Sequence, residues 1–170
     1  IKFPNILVAG CGTGQHAIVT ASRFKNCKVV AVDLSLSSLS YAKRKTEELS
    51  IKNIDYIQAD ILSLDKLDKK FDIIESGGVL HHMDKPFEGW KMLLDRLRPG
   101  GLMKIGLYSK LARTDIIEIR REIFQSKIGS TSKEMQEFRN MLKYSADPAH
   151  KWIARSPDFY SLSAFRDLIF

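Results

Sequence analysis

Gly10, Gly12 and Gly14 stand at every second position directly after the apolar run Ile6-Leu7-Val8-Ala9. A strand that ends in such a loop brings bare main chain close to a ligand, because no Cβ projects into the space and positive φ is cheap there. One glycine suffices for a tight turn. Three of them, with Asp33 closing the next β-rich run, point to a cofactor cradle. Spacing then narrows the cofactor. A dinucleotide fingerprint needs its third glycine three residues after the second, and that position holds Gln15. The phosphate loop G-x-x-x-x-G-K-[ST] is absent too, which argues against a nucleoside triphosphate. Asp60 closes a third β-rich run and Glu75-Ser76-Gly77 a fourth, with His81 and His82 just beyond, where imidazoles suit proton transfer. Tyr108 near the end of a fifth run could face a substrate. Cys11 and Cys27 are too few for a disulfide framework or a zinc site, so no metal is expected.

The elements that must position these residues alternate between strand and helix. Strands are predicted at 5–10, 28–33, 54–60, 71–76 and 102–109, and helices at 15–24 and 35–50, the latter capped by Ser35. Residues 64–70 supply only a short helical turn or loop. Phe87, Trp90, Leu94 and Leu97 recur at helical spacing after Pro86, and Pro99-Gly100-Gly101 stops that helix. Tyr41, Phe71, Phe87 and Trp90 fit core positions, and Asp72 reads as structural. Strands joined by crossover helices mean parallel pairing, hence a Rossmann-like, doubly wound α/β sheet with ligands at the carboxyl ends of its strands. From residue 111 the pattern turns helical, with a Thr131–Glu134 capping box, a Pro-punctuated loop from Ser145 to Pro157 and a last helix beyond it. His150 in that loop reads as a surface residue. Residues 1–110 are therefore expected to be a cofactor-binding α/β core and 111–170 a helical cap or insertion of the same domain.

At 170 residues and 44% apolar content, one domain is the default. The apolar runs fall far short of the ~20 residues that span a bilayer, and no secretory leader opens the chain, so a cytoplasmic protein without a membrane partner is expected. The net charge of +7 permits a nucleic-acid partner. Because lysines and arginines interleave with acids on helical faces, as in YAKRKTEEL and IIEIRREI, that partner is not favoured.

From Ile6 to Tyr108 the chain resembles the class I methyltransferases that use S-adenosylmethionine, in five motifs met in order. VAGCGTG looks like the first, whose loop passes under the methionine part of the cofactor. The resemblance implies cofactor contacts from Gly10, Cys11, Gly12, Thr13, Gly14 and His16. In VDLS, Asp33 stands where the family's acid takes both ribose hydroxyls, with Leu34 beside it. In QADI, Asp60 stands where the family reads the adenine amino group, with Ile61 against the ring. FDIIESGGVLHHM resembles the motif lining the methyl-donor pocket, which implies Ser76 and Gly77 there and His81, His82 and Tyr108 as catalytic candidates. LRPGGLMKIGLYS resembles the passage into the fifth strand. The wording ILVAGCGTGQHA, GVLHHM and GGLMKIGLYS is similar to bacterial methyltransferase domains that follow tetratricopeptide repeats, which implies a repeat region upstream and two closing strands downstream of these residues.

Two departures stand against the family pattern. The acid that usually lies two residues before the first glycine and helps hold the cofactor's amino group is replaced by Val8, and Glu75 is the substitute if its side chain turns toward the pocket. The N/D-P-P-Y/F sequence of amino-methylating nucleic-acid enzymes is missing, which leaves a small molecule or a protein as the favoured acceptor. A non-catalytic S-adenosylmethionine-binding module is the alternative reading, and a nicotinamide (NAD) oxidoreductase a weaker one, opposed by Gln15.

Overall fold

The structure, a computed structural model, describes residues 2–24, 26–109 and 111–170. Five strands, β1 (Asn5–Ala9), β2 (Lys28–Asp33), β3 (Ile54–Gln58), β4 (Phe71–Gly77) and β5 (Leu97–Gly106), pair in parallel in the order β3-β2-β1-β4-β5. The near-continuous apolar runs of β1 and β2 are what a parallel strand covered on both faces requires. On one face Ile6 and Val8 pack with Ala17 and Ala21 of α1 (Gln15–Arg23) and Leu39 of α2 (Leu36–Glu48). On the other, Leu7 and Ala9 pack with Leu93 of α3 (Pro86–Arg96) and with Ile61 and Leu64 of a 3-10 turn, Ile61–Lys66. After β3 the chain crosses to the far side of β1 and enters β4. The carboxyl ends of β1 and β4 thus flank the point where the winding reverses, and open sheets leave their ligand crevice there.

Several expectations are corrected. The fifth strand begins at Leu97 and ends at Gly106 rather than covering 102–109. A bulge opposite Phe71 and Ile73 absorbs Pro99-Gly100-Gly101 inside the strand. That bulge lets Arg98 reach Asp72 at 2.8 and 2.9 Å, while Asn5 N–H donates to Asp72 Oδ2 at 2.8 Å. Asp72 is structural, as read. Phe71 is fully buried, but Tyr41, Phe87 and Trp90 are exposed. On α3 the buried positions are Gly89 and Leu93, so Phe87, Trp90 and Leu94 form a second apolar stripe that the helical period could not tell from the core-facing one.

The chain divides into two compact units, the first ending at Leu107 and the second running Tyr108–Phe170. Lys110, where the sequence reading ends the α/β core, lies outside the described residues. The second unit contains α4 (Thr114–Gln125), α5 (Ser132–Tyr144), α6 (Pro148–Ile153) and α7 (Leu162–Ile169) around its own core of Ile119, Leu142, Ile153 and Phe165. The Thr131–Glu134 capping box is present. The loop expected from Ser145 to Pro157 contains α6, because Asp147 caps the N–H groups of Ala149 and His150 and Pro148 suits the first turn. His150 is buried rather than on the surface, its Nε2 2.7 Å from Glu122 and its Nδ1 2.9 Å from Ser145 Oγ.

Candidate functional site

The glycine loop is built by hydrogen bonds to the end of β2. Gly10 and Cys11 N–H both donate to the Val32 carbonyl, at 2.8 and 3.0 Å. Gly12 N–H donates to Asp33 Oδ2 at 2.7 Å, and Ser35 N–H to Asp33 Oδ1 at 2.9 Å. Asp33 therefore fastens the loop to the neighbouring strand, while Ser35 itself caps α2 by accepting from Ser38 N–H. A Cβ on Gly14, whose φ is +86°, would lie 2.5 Å from Ala42 Cβ, so this glycine permits the close approach of α1 and α2. Gly12, by contrast, faces open space.

Beside the loop lies a cleft lined by Gly10, Val32, Asp33, Leu34, Ala59, Asp60, Ile61, Val79 and Met83. Its walls are apolar and its polar side chains are two carboxylates. A carboxylate offers about four lone-pair positions, so Asp33 retains acceptor capacity after its two backbone bonds. Asp60 uses Oδ1 to accept from Leu62 N–H at 2.9 Å, starting the 3-10 turn that carries Ile61. A flat ring between aliphatic side chains, with donor groups toward the two acids, fits this lining. Of the residues named from the sequence, Gly10, Asp33, Leu34, Asp60 and Ile61 meet here. The sequence reading missed Val79 and Met83 as lining, although both stand in the quoted FDIIESGGVLHHM run; the projection of Val79 toward Gly10 depends on the loop crossing above β4.

The remaining candidates lie elsewhere. Cys11 is buried in the α1-side core, and burial, reinforced by the Asp33 charge, pushes its thiol up to about 12. It stays a neutral thiol and is no nucleophile. Thr13 is exposed on the loop. Glu75 is buried on the α1 face, accepting from Thr20 Oγ1 at 2.5 Å, with His16 Nε2 3.2 Å from the same oxygen. Ser76 is buried at the end of β4, and its hydroxyl makes no hydrogen bond among the described residues. Gly77 pairs with Gly106. His81 and His82 lie on a 3-10 turn, Leu80–His82, with ring centroids 4.2 Å apart. Tyr108 belongs to the second unit, where the Arg113 guanidinium lies 3.4 Å from its ring centroid. Among the described residues no group of three or more His, Cys, Asp or Glu could hold a metal ion.

The chain is similar to an uncharacterised protein of Synechococcus, 31% identical over 71% of this chain and 29% of that one. It is also 31% identical to phosphoethanolamine N-methyltransferase 1 of Arabidopsis thaliana, over 81% of this chain and 27% of the relative. Among solved structures, PKMT2 of Rickettsia typhi in complex with AdoHcy matches 94% of this chain and 33% of its own, with a TM-score of 0.76 at 23% identity. The chain thus spans about a third or less of each of these proteins. The structural likeness shows the fold, the Rossmann-like fold of class I methyltransferases. Residues 6–101, the span from the first strand to the bulge of the fifth, match the methyltransferase domain family, and the chain belongs to that family.

Proposed function

We propose that this domain binds S-adenosylmethionine in the cleft at the carboxyl ends of β1, β2 and β4 and transfers the methyl group to a small-molecule or protein acceptor. The observation that carries the reading is Asp33, which fastens the glycine loop through Gly12 and at the same time lines the cleft. The cofactor supplies an electrophilic methyl on a positively charged sulfur. The chain has to hold it, exclude water and bring a nucleophile into line. Asp33 accepts from the ribose hydroxyls, Asp60 from the adenine amino group, and Val32, Leu34, Ile61, Val79 and Met83 sandwich the ring. Backbone of Gly10 to Gly14, with Thr13 and His16 at the helix start, passes under the methionyl part; Ser76 and Gly77 border the methyl group.

An oxygen or nitrogen acceptor would give up a proton on receiving the methyl group. His81 and His82 are the candidates to take it. Phosphoethanolamine is the acceptor in the name of one relative, and it does not transfer at this identity and coverage. The closeness of wording to domains that follow tetratricopeptide repeats extends the proposal to a bacterial, cytoplasmic enzyme with such a region upstream. No described helix is long and apolar enough to cross a membrane. The test is calorimetric titration of the chain with S-adenosylhomocysteine and, separately, NADH. Binding of the first alone supports the proposal, whereas binding of NADH alone, or of neither, contradicts it. Tight binding without turnover over a panel of acceptors would instead favour the non-catalytic module.

A further inference from the structure

We propose that Gly77 determines which acceptors fit: by ending β4 without a side chain it keeps the space beside the transferred methyl open to a planar ring, and the acceptor carries its nucleophile on or next to such a ring. This rests on the function proposed above. Val8 of β1 pairs with Glu75 of β4, so the two strands reach Gly10 and Gly77 two residues later, side by side. Gly77 pairs in turn with Gly106 of β5. Gly10 already lines the cleft. Bare main chain therefore continues from the cleft across the end of β4 to that of β5, a width of two strand spacings, roughly 10 Å.

Glycine weakens a strand, and within one it marks the close approach of a ligand or of another backbone. The glycines around position 77 have structural reasons. Gly10 and Gly78 have φ of +74° and +75°, and a Cβ on Gly106 would lie 3.1 Å from Gly77 Cα. Gly77 has no left-handed backbone angle, and a Cβ there would meet no atom within 4 Å. It is exposed, whereas Ile74, Glu75 and Ser76 before it are buried. Ser76 is 1% exposed and its hydroxyl has no hydrogen bond among the described residues, so the end of β4 is unfinished in polar as well as in steric terms. The fold would accommodate a side chain at position 77; what that side chain would obstruct is a ligand. Flat glycine peptide units give a ring a face to lie on, and a branched side chain such as valine would project into that space.

The test is calorimetric titration of the wild-type chain and of Gly77→Val with S-adenosylhomocysteine and with its N-benzyl aza analogue, in which nitrogen replaces the sulfur and carries a benzyl group where the cofactor carries its methyl. The wild type is expected to bind both. In Gly77→Val the affinity for the benzyl analogue relative to S-adenosylhomocysteine is expected to fall about tenfold or more, the effect of overfilling a packed space. An unchanged ratio overturns the proposal, and so does a wild type that binds S-adenosylhomocysteine and rejects the benzyl analogue; the cofactor reading survives both results. If the wild type binds neither ligand, the cofactor reading itself has failed. Valine suits a strand, but should Gly77→Val not fold, Gly77→Ala carries the same comparison: a fallen ratio supports the proposal, and an unchanged one overturns it.

Discussion

Asp33 accepts two backbone N–H groups, from Gly12 and Ser35, while lining the cleft, so its removal acts on folding and on binding separately. Asp33→Ala orphans both donors and is expected to cost about 1–3 kcal/mol of stability in urea unfolding. It should also abolish most of the rise in melting temperature caused by S-adenosylhomocysteine. Asp33→Asn keeps one acceptor oxygen for the loop and should lose the ligand shift with less loss of stability; a full ligand shift in both variants would refute the ribose role. The glycines separate in the same manner. Gly10, Gly12 and Gly14 look alike in the sequence, yet a side chain at Gly14 meets α2 and one at Gly12 meets nothing. Gly14→Ala combines positive φ with a collision and should destabilise by about 1–3 kcal/mol, read from the urea midpoint. Which glycine serves packing is decided by Ala42, 28 positions further along the chain, so spacing alone could not reveal it.

At the scale of elements, the Asp72 clasp ties the starts of β1, β4 and the bulge of β5 together at the edge of the sheet opposite the cleft. The Asn5 N–H, aided by Arg98, holds the Asp72 carboxyl below its ordinary value of 3.8. A carboxyl depressed in the folded chain contributes stability that is complete above the unfolded value and is lost as pH falls through the folded one. Asp72→Asn should therefore unfold at lower urea than wild type at neutral pH, by about 1–3 kcal/mol, and the two curves should converge below about pH 3.8. A difference independent of pH would refute the clasp. The β1 to β4 succession was legible because each run is short, apolar and bounded by turn residues. The start of β5 was not, since Pro99-Gly100-Gly101 reads as a break and only pairing with Phe71 and Ile73 turns it into a bulge. Helix α6 was hidden likewise: Asp147-Pro148 signals a helix start as strongly as a turn.

At the scale of the whole chain, the parallel order and the carboxyl-edge site follow from alternation of strands and helices, and the mixed charge of the helices follows from pairs such as Arg44–Glu48 and Lys85–Glu88 on exposed faces. The cleft lining was half legible. Asp33 and Asp60 announce themselves at strand ends, whereas Val79 and Met83 enter only once β4 lies beside β1. The second unit carries its own buried core, and its mixed charges and apolar positions name no acceptor. The central claim is that the glycine loop and Asp33 form a seat for a sulfonium nucleoside. The most direct measurement is the melting temperature of the wild-type chain with saturating S-adenosylhomocysteine or NADH. A ligand that binds only the folded form, at a hundred times its Kd, adds about 2.7 kcal/mol. The account predicts a clear rise with S-adenosylhomocysteine and none with NADH; no rise with S-adenosylhomocysteine, or a rise with NADH in its place, would contradict it.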